Sequence, residues 1–325
     1  MSLIRFVGIV SIAVLASLPQ GYAWGQDYPV KSIRFVVANA PGGGTDLMAR
    51  VIAQKLHEAW GQPVVVDNRP GGTGAVGSVL VAKSAPDGYT LLIVTNSSHA
   101  IAPSLQKDLA YHPVNDFAPI AIVATGPNML VAHPSVAANT VKELVALAIA
   151  RPEAFNYASP GTGTVAHMAM ELFKTVTRTN IVHVPYKGSA DAVTGLLSGQ
   201  VQLTFSGPGS VIQHVHAKRL KMLAVAAPRR SAGLEDIPTF AEAGYPAVEA
   251  SSWYGVLTTA GTPQTVVAKL NREIVRIMEL PDVRKRFSSQ GYEPASSTPQ
   301  QFMQLIRTDL AMWSRVVKAS GLRSD

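Results

Sequence analysis

Two short turns hold the residues best suited to bind an anion. Pro41-Gly42-Gly43-Gly44-Thr45-Asp46 and Ser159-Pro160-Gly161-Thr162-Gly163-Thr164 each follow an apolar run and open a stretch of helical periodicity. Small residues let the backbone approach a ligand closely, and hydroxyls at a helix start offer caps and donors. A helix N-terminus carries about half a positive charge, so such a turn attracts a carboxylate or a phosphate. Two uncharged loops, Asn96-Ser97-Ser98 and Ser206-Gly207-Pro208-Gly209-Ser210, follow other apolar runs and could add hydroxyl and amide contacts. Each of the four also reads as a capped tight turn or a polar surface loop. Two Gly-rich turns in separate halves of the chain favour a shared ligand.

Other chemistries fit less well. Gly72-Thr73-Gly74-Ala75-Val76-Gly77 has the G-x-G-x-x-G form of a dinucleotide site. Asn68 to Gly71 separate it from the preceding strand, and the next strand ends at Thr95-Asn96, without an acidic residue for a ribose. Neither a phosphate-binding G-x-x-x-x-G-K-[ST] loop nor a G-x-S-x-G elbow occurs. The lack of cysteine excludes disulfides, thiolate metal sites, iron–sulfur clusters and thiol catalysis. Eight dispersed histidines without H-E-x-x-H give no reason to expect a metal. No cofactor is expected. Asp46, His99 and His167 could form a catalytic set with Ser97 or Ser159, but their spacing suits capping and packing equally.

Composition narrows the class further. The 325 residues carry 28 Lys and Arg against 21 Asp and Glu, a net charge of +7, and charged residues are only 15% of the chain. The basic residues are scattered, with Arg284-Lys285-Arg286 as the one local run, so no nucleic-acid partner is expected. Arg5 precedes an apolar stretch, Phe6 to Leu18, too short for the ~30 Å core of a bilayer. Ala23-Trp24-Gly25 then supplies small residues for cleavage. Residues 1–25 read as a signal peptide, cut after Gly25, which places the mature chain in the periplasm.

The elements that must position these turns alternate in type. Strands are expected at Ile33–Ala38, Val64–Val66, Leu91–Thr95 and Ala121–Ala124, with helices from Leu47 to Trp60 and Val76 to Lys83. The pattern restarts with strands at Met129–Ala132, Phe155–Ser159, Ile181–Val184, Val201–Phe205 and Met222–Ala226. Helices fall at Val141–Ala150, Val165–Val176 and Ala190–Leu197. A last strand, Trp253–Thr258, precedes helices at Thr265–Met278, Pro281–Gln290 and Pro299–Ser320. Repeated strand–helix units imply an α/β protein with two lobes, each a mostly parallel sheet flanked by helices. The C-terminal helices have no sheet of their own and are expected to return to the first lobe. Lobe 1 is then residues 26–125 and 251–325, and lobe 2 is residues 126–250.

Several motifs carry a family resemblance. Tyr28-Pro29, Ile33-Arg34-Phe35-Val36-Val37 and the Pro41–Asp46 turn resemble the opening of the tripartite tricarboxylate transporter receptors, the Bug family. Val64 to Gly72, Ala85-Pro86-Asp87-Gly88-Tyr89-Thr90, His183-Val184-Pro185-Tyr186-Lys187-Gly188, Pro238 to Gly244 and Gly261-Thr262-Pro263 are similar to its later motifs, in the family's order. The resemblance implies a type II-like periplasmic binding protein fold, hinged around a cleft. Such a receptor captures a small carboxylate and delivers it to integral-membrane permease subunits; a monomer is expected. It also implies a site made from Gly42, Gly43, Gly44, Thr45, Asp46, Asn96, Ser97, Ser98, Ser159, Thr162, Gly163, Thr164, His167 and Ser206. Ser206 stands where many members carry Asp, and Thr194-Gly195 where Asp-Leu is usual. The first change removes a partner for a ligand ammonium and tilts the expectation toward a plain organic acid. The rival readings are a secreted α/β hydrolase using the same cleft and a ligand-presenting partner of a membrane sensor kinase.

Overall fold

A computed structural model describes residues 28–106, 108–230 and 234–320. The expected signal segment lies outside them. Strand β1 (Ile33–Val37) is buried except at Arg34, because it lies between two parallel neighbours, β2 (Val64–Asn68) and β3 (Thr90–Thr95). A strand covered on both faces calls for such a nearly continuous apolar run. Helix α1 (Gly44–Trp60) and helix α2 (Ala75–Ala82) make the two crossovers. Gly61 ends α1 in the left-handed conformation, φ 69°, and its N–H donates to the His57 carbonyl.

After β3 the chain makes a π-helical turn, Ser97–Ile101, and a short helix α3 (Ala102–Leu105). Strand β4 (Phe117–Pro127) crosses the first sheet and passes through Asn128 into β5 (Met129–Ala132), which belongs to a second sheet. There follow α4 (Val141–Ala150), β6 (Asn156–Ser159), α5 (Val165–Thr177), β7 (Val182–Pro185), α6 (Ser189–Leu197), β8 (Leu203–Ser206), α7 (Pro208–His216) and β9 (Lys221–Val225). The chain returns to the first sheet as β10 (Ser251–Thr259) and ends with α8 (Gln264–Glu279), α9 (Pro281–Ser288), β11 (Glu293–Pro294) and α10 (Pro299–Ser320).

The strand orders are β11-β4-β10-β3-β1-β2 and β7-β6-β8-β5-β9. Both sheets are mixed rather than mostly parallel. In the first, β10 runs antiparallel to β3 and β4; in the second, β5 runs antiparallel to β8 and β9. The cause is the double passage between lobes: β4 leaves the first sheet, β10 re-enters it alongside, and β5 starts the second sheet in the opposite sense to the crossover strands.

Two further expectations change. The Ser206–Ser210 segment does not stay a loop, because Pro208 starts α7 in the first helical turn, where a missing N–H costs nothing. The C-terminal helices do not all stay on the first lobe. Helices α8 and α9 pack against β4, α1 and β11. Helix α10, 22 residues and ~33 Å long, buries Phe302 and Ile306 in the first core, then Trp313 and Val317 in the second.

Candidate ligand-binding cleft

The carboxyl ends of the parallel strands in both lobes face a cavity of about 610 Å³. One wall is the β1–α1 turn from Ala38 to Pro41 and from Gly43 to Thr45, the β2–α2 turn from Pro70 to Gly74, and Thr95 and Ser97. The opposite wall is Pro160 to Thr162 with Thr164 to Ala166, the Tyr186–Ala190 turn, and Ser206, Gly207 and Ser210. Asn128, Ser252, Tyr254 and Tyr292 form the floor. Helices α1, α5, α6 and α7 all begin at this lining, so their N-terminal N–H groups and partial positive charges converge on it. Among the described residues Lys187 is the one charged side chain in the lining, and none of them there is a carboxylate.

Of the residues singled out in the sequence, Gly43, Gly44, Thr45, Ser97, Thr162, Thr164 and Ser206 line the cavity. Gly42, Asp46, Asn96, Ser98, Ser159, Gly163 and His167 stand behind that lining and shape the turns. Asp46 accepts from the Gly42 N–H (3.1 Å), Arg50 Nε (3.0 Å) and Asn68 Nδ2 (3.0 Å). Burial opposes its ionisation, yet these bonds hold its carboxyl below the usual range. Asp46 thus fastens the first turn, whose N-cap is Gly43 rather than Thr45. Asn96 donates to the Ser251 carbonyl (3.0 Å), and Ser98 Oγ donates to the Thr95 carbonyl (3.2 Å).

The second turn is built differently. Thr164 is a true N-cap: its hydroxyl accepts from the His167 N–H (3.3 Å) and donates to the Gly161 carbonyl (2.8 Å). His167 Nδ1 accepts from the Gly163 N–H (3.2 Å). Ser159 Oγ accepts from the Gly161 N–H (3.2 Å) and lies 2.6 Å from His183 Nε2. The His167 and His183 rings stack at 4.2 Å, and Tyr157 stacks on His183 at 4.7 Å. Burial lowers both histidines, His183 to about 4, so the stack is neutral at neutral pH. The hydrolase set therefore divides. Asp46 serves Arg50 and the first turn, while Ser159 is fully buried and paired with His183. Among the described residues no group of three or more His, Asp or Glu is placed to hold a metal.

Hydrogen bonds join the lobes across the cleft. Thr73 Oγ1 donates to the Thr162 carbonyl (2.8 Å), and the Val165 N–H donates to Ser97 Oγ (3.2 Å). Thr73 adopts φ 57°, uncommon for a β-branched residue, and from there reaches the facing turn.

Sequence reasoning passed over the Tyr186–Ala190 turn as a wall, although it follows a strand and opens a helix as the two Gly-rich turns do. It weighed Gly72 to Gly74 only as a cofactor loop. The floor residues lie within or beside apolar strands, where no local pattern separates a cleft residue from a core residue.

The model of the tripartite tricarboxylate transporter family receptor matches residues 48–322. Protein BugT of Bordetella pertussis is 35% identical over 324 residues, covering 99% of each chain. A structure of an R. palustris protein with adipate superposes with a TM-score of 0.89 at 35% identity, over 91% of this chain and 99% of that one. MatC from Rhodopseudomonas palustris with bound malate gives a TM-score of 0.83 at 30% identity, over 89% and 100%. Matched by this family model over residues 48–322 and similar to BugT along nearly its whole length, the chain belongs to the tripartite tricarboxylate transporter receptors, the Bug proteins.

Proposed function

We propose that this protein is a periplasmic solute-binding receptor that closes on a small organic carboxylate and passes it, unchanged, to the permease subunits of a tripartite transporter. The convergence of helix N-termini from both lobes on a cleft without a carboxylate carries this reading. The adipate and malate bound by two relatives support the ligand class. The mature chain begins at Gln26, is monomeric, and moves as lobe 1 (residues 26–125 and 251–325) against lobe 2 (residues 126–250), with the end of α10, buried in the second core at Trp313 and Val317, bridging the two. No helix among the described residues is long and apolar enough to cross a membrane. A ligand touching both walls interacts fully only with the closed state and shifts the lobes toward closure by that differential affinity.

Thermal melts of the mature protein against a panel of mono-, di- and tricarboxylates test this. At a hundred times its dissociation constant, a bound acid adds about 2.7 kcal/mol of stability. The same acid recovered intact by mass spectrometry fits a receptor; conversion to product fits a hydrolase. No shift with any acid would overturn the reading.

The two threonines at the helix mouths should respond differently. Thr45 is 6% exposed at the cavity, and its hydroxyl is free to donate to ligand. Thr45→Val is expected to weaken carboxylate binding about tenfold, the value of one hydrogen bond to a charged group. The Thr164 hydroxyl already serves its own turn, so Thr164→Val should cost ~1 kcal/mol of stability with a smaller change in affinity. Calorimetric titration beside urea unfolding separates the two.

A further inference from the structure

The one cation of the cleft lining stands on a turn that is held at both ends. Lys187, exposed between β7 and α6, has no hydrogen-bond or ion-pair partner among the described residues. The nearest acid in sequence, Asp191 in the first turn of α6, lies outside the lining and does not pair with it. On one side of Lys187, the Tyr186 N–H donates to the Ser159 carbonyl (2.9 Å). The Tyr186 ring lies on α6 where Gly195 leaves room for it: a Cβ there would stand 2.3 Å from Tyr186 Oη and 2.6 Å from the carbon that bears it. On the other side, the Gly188 carbonyl accepts the Ala192 N–H (3.1 Å). The backbone that carries Lys187 is therefore fixed against the second lobe.

This turn sits between the two Gly-rich turns. A Cβ on Gly161 would lie 3.6 Å from the Tyr186 carbonyl oxygen, and a Cβ on Gly188 would lie 3.3 Å from the Ala40 Cβ of the facing lobe. Lys187 thus stands beside both of the turns that would take the first carboxylate of a ligand. A helix end offers N–H donors and a partial charge, but no net charge. A second carboxylate brought into the same cleft is repelled by the first and needs a full counter-ion. Lys187 is the residue in the lining that can supply one.

We propose that Lys187 determines specificity for a second carboxylate: its ammonium pairs with the distal carboxylate of a dicarboxylic acid, so the receptor selects diacids over monoacids of the same length. The inference rests on the carboxylate-receptor reading above and narrows its ligand class. The ammonium is a point charge on a flexible stem, so it follows the distal group of diacids of several lengths rather than measuring one. Because Lys187 keeps contact with solvent, the pair is worth less than a buried one, and the expected selectivity is about tenfold.

The test is calorimetric titration of the mature protein and its Lys187→Met and Lys187→Arg variants with two matched pairs, adipate with hexanoate and succinate with butyrate. Within each pair the carbon chain is the same length, and one carboxylate becomes a methyl group. Wild type is expected to bind the diacid about tenfold tighter in the pair it binds better. Lys187→Met keeps the length of the side chain and removes its charge; it is expected to bring that ratio close to one, chiefly by weakening the diacid. Lys187→Arg keeps the charge and is expected to retain most of the ratio. A general loosening of the fold would weaken diacid and monoacid alike, and thermal melts of the ligand-free variants accompany the titrations. An unchanged ratio in Lys187→Met, an equal loss in both variants, or wild type binding each monoacid as tightly as its diacid would overturn the inference and leave the receptor reading intact. Wild-type protein binding none of the four acids would count against the receptor reading itself, and this inference would fall with it.

Discussion

Gly44→Ala is expected to weaken carboxylate binding about a hundredfold or more and to cost about 1–3 kcal/mol of stability, while Gly43→Ala next to it leaves both near wild type. A Cβ on Gly44 would stand 2.0 Å from Tyr292 Oη and 2.6 Å from the ring carbon that bears it. Tyr292 has nowhere to retreat, because Gly126 and Gly209 press on the same ring: a Cβ on either would come within 2.7 Å of a Tyr292 atom. The N-terminus of α1 must then withdraw, taking the Gly44 N–H and the Thr45 hydroxyl out of register with the facing wall. At Gly43, φ is −85° and the nearest atom to an added Cβ is the Ala40 carbonyl oxygen at 3.9 Å, an ordinary contact. Titration calorimetry and thermal melts of the two alanine variants decide the point. Equal behaviour at both positions would mean that the floor of the cleft does not set the position of α1.

The same turn shows how far sequence reading reached. The run Gly42-Gly43-Gly44 marks a close backbone approach, and the cavity does lie against it. The three glycines nevertheless answer separate demands. Gly42 has φ +82°, Gly44 meets Tyr292, and Gly43 meets only the Ala40 carbonyl oxygen at an ordinary distance. Only the first demand is local, and Tyr292 lies far away in sequence. Strand–helix alternation was legible because each unit carries its own period, and the extents of β1, β3, β5 and α4 follow from local patterns. Strand sense was not legible: β10 runs antiparallel because of where β4 left its lobe, a fact about the path of the chain. Helix α10 reads as one amphipathic stripe, and nothing in its period tells that Phe302 and Trp313 enter different cores. Thr45 and Thr164 look alike in sequence, each beside a Gly-rich turn. Asp46 fastens the first turn and leaves the Thr45 hydroxyl to the cavity, whereas Thr164 must cap the second.

Acid should destabilise this protein through His99, and a His99→Phe variant should lose that part of the response. His99 lies in the π-helical turn, fully buried, with its ring 4.8 Å from Phe117 and 5.6 Å from Tyr111, centroid to centroid. Nδ1 is 3.0 Å from Ser98 Oγ, and Nε2 is buried without a hydrogen-bond partner. Burial pushes the ring down to about 3 in the fold, against an ordinary value of 6.5. Above pH 6.5 both folded and unfolded chains hold it neutral. As pH falls below 6.5 the unfolded chain takes up the proton first, so stability declines down to about pH 3 and no further from this group. The whole decline is about 4–5 kcal/mol, a large part of the stability of an ordinary domain. His183, lowered to about 4, acts in the same direction, with a smaller effect because solvent screens its partly exposed ring. Urea unfolding at steps between pH 7 and pH 4 should show wild type losing up to about 1.4 kcal/mol per pH unit more than His99→Phe. Parallel profiles would rule His99 out as the acid-sensitive group. The consequence extends to binding, because the turn that buries His99 also presents Ser97, whose hydroxyl accepts the Val165 N–H of the facing lobe. Acid that loosens this turn removes one of the bonds joining the lobes, so ligand affinity should fall over the same pH range as stability, and fall less in His99→Phe.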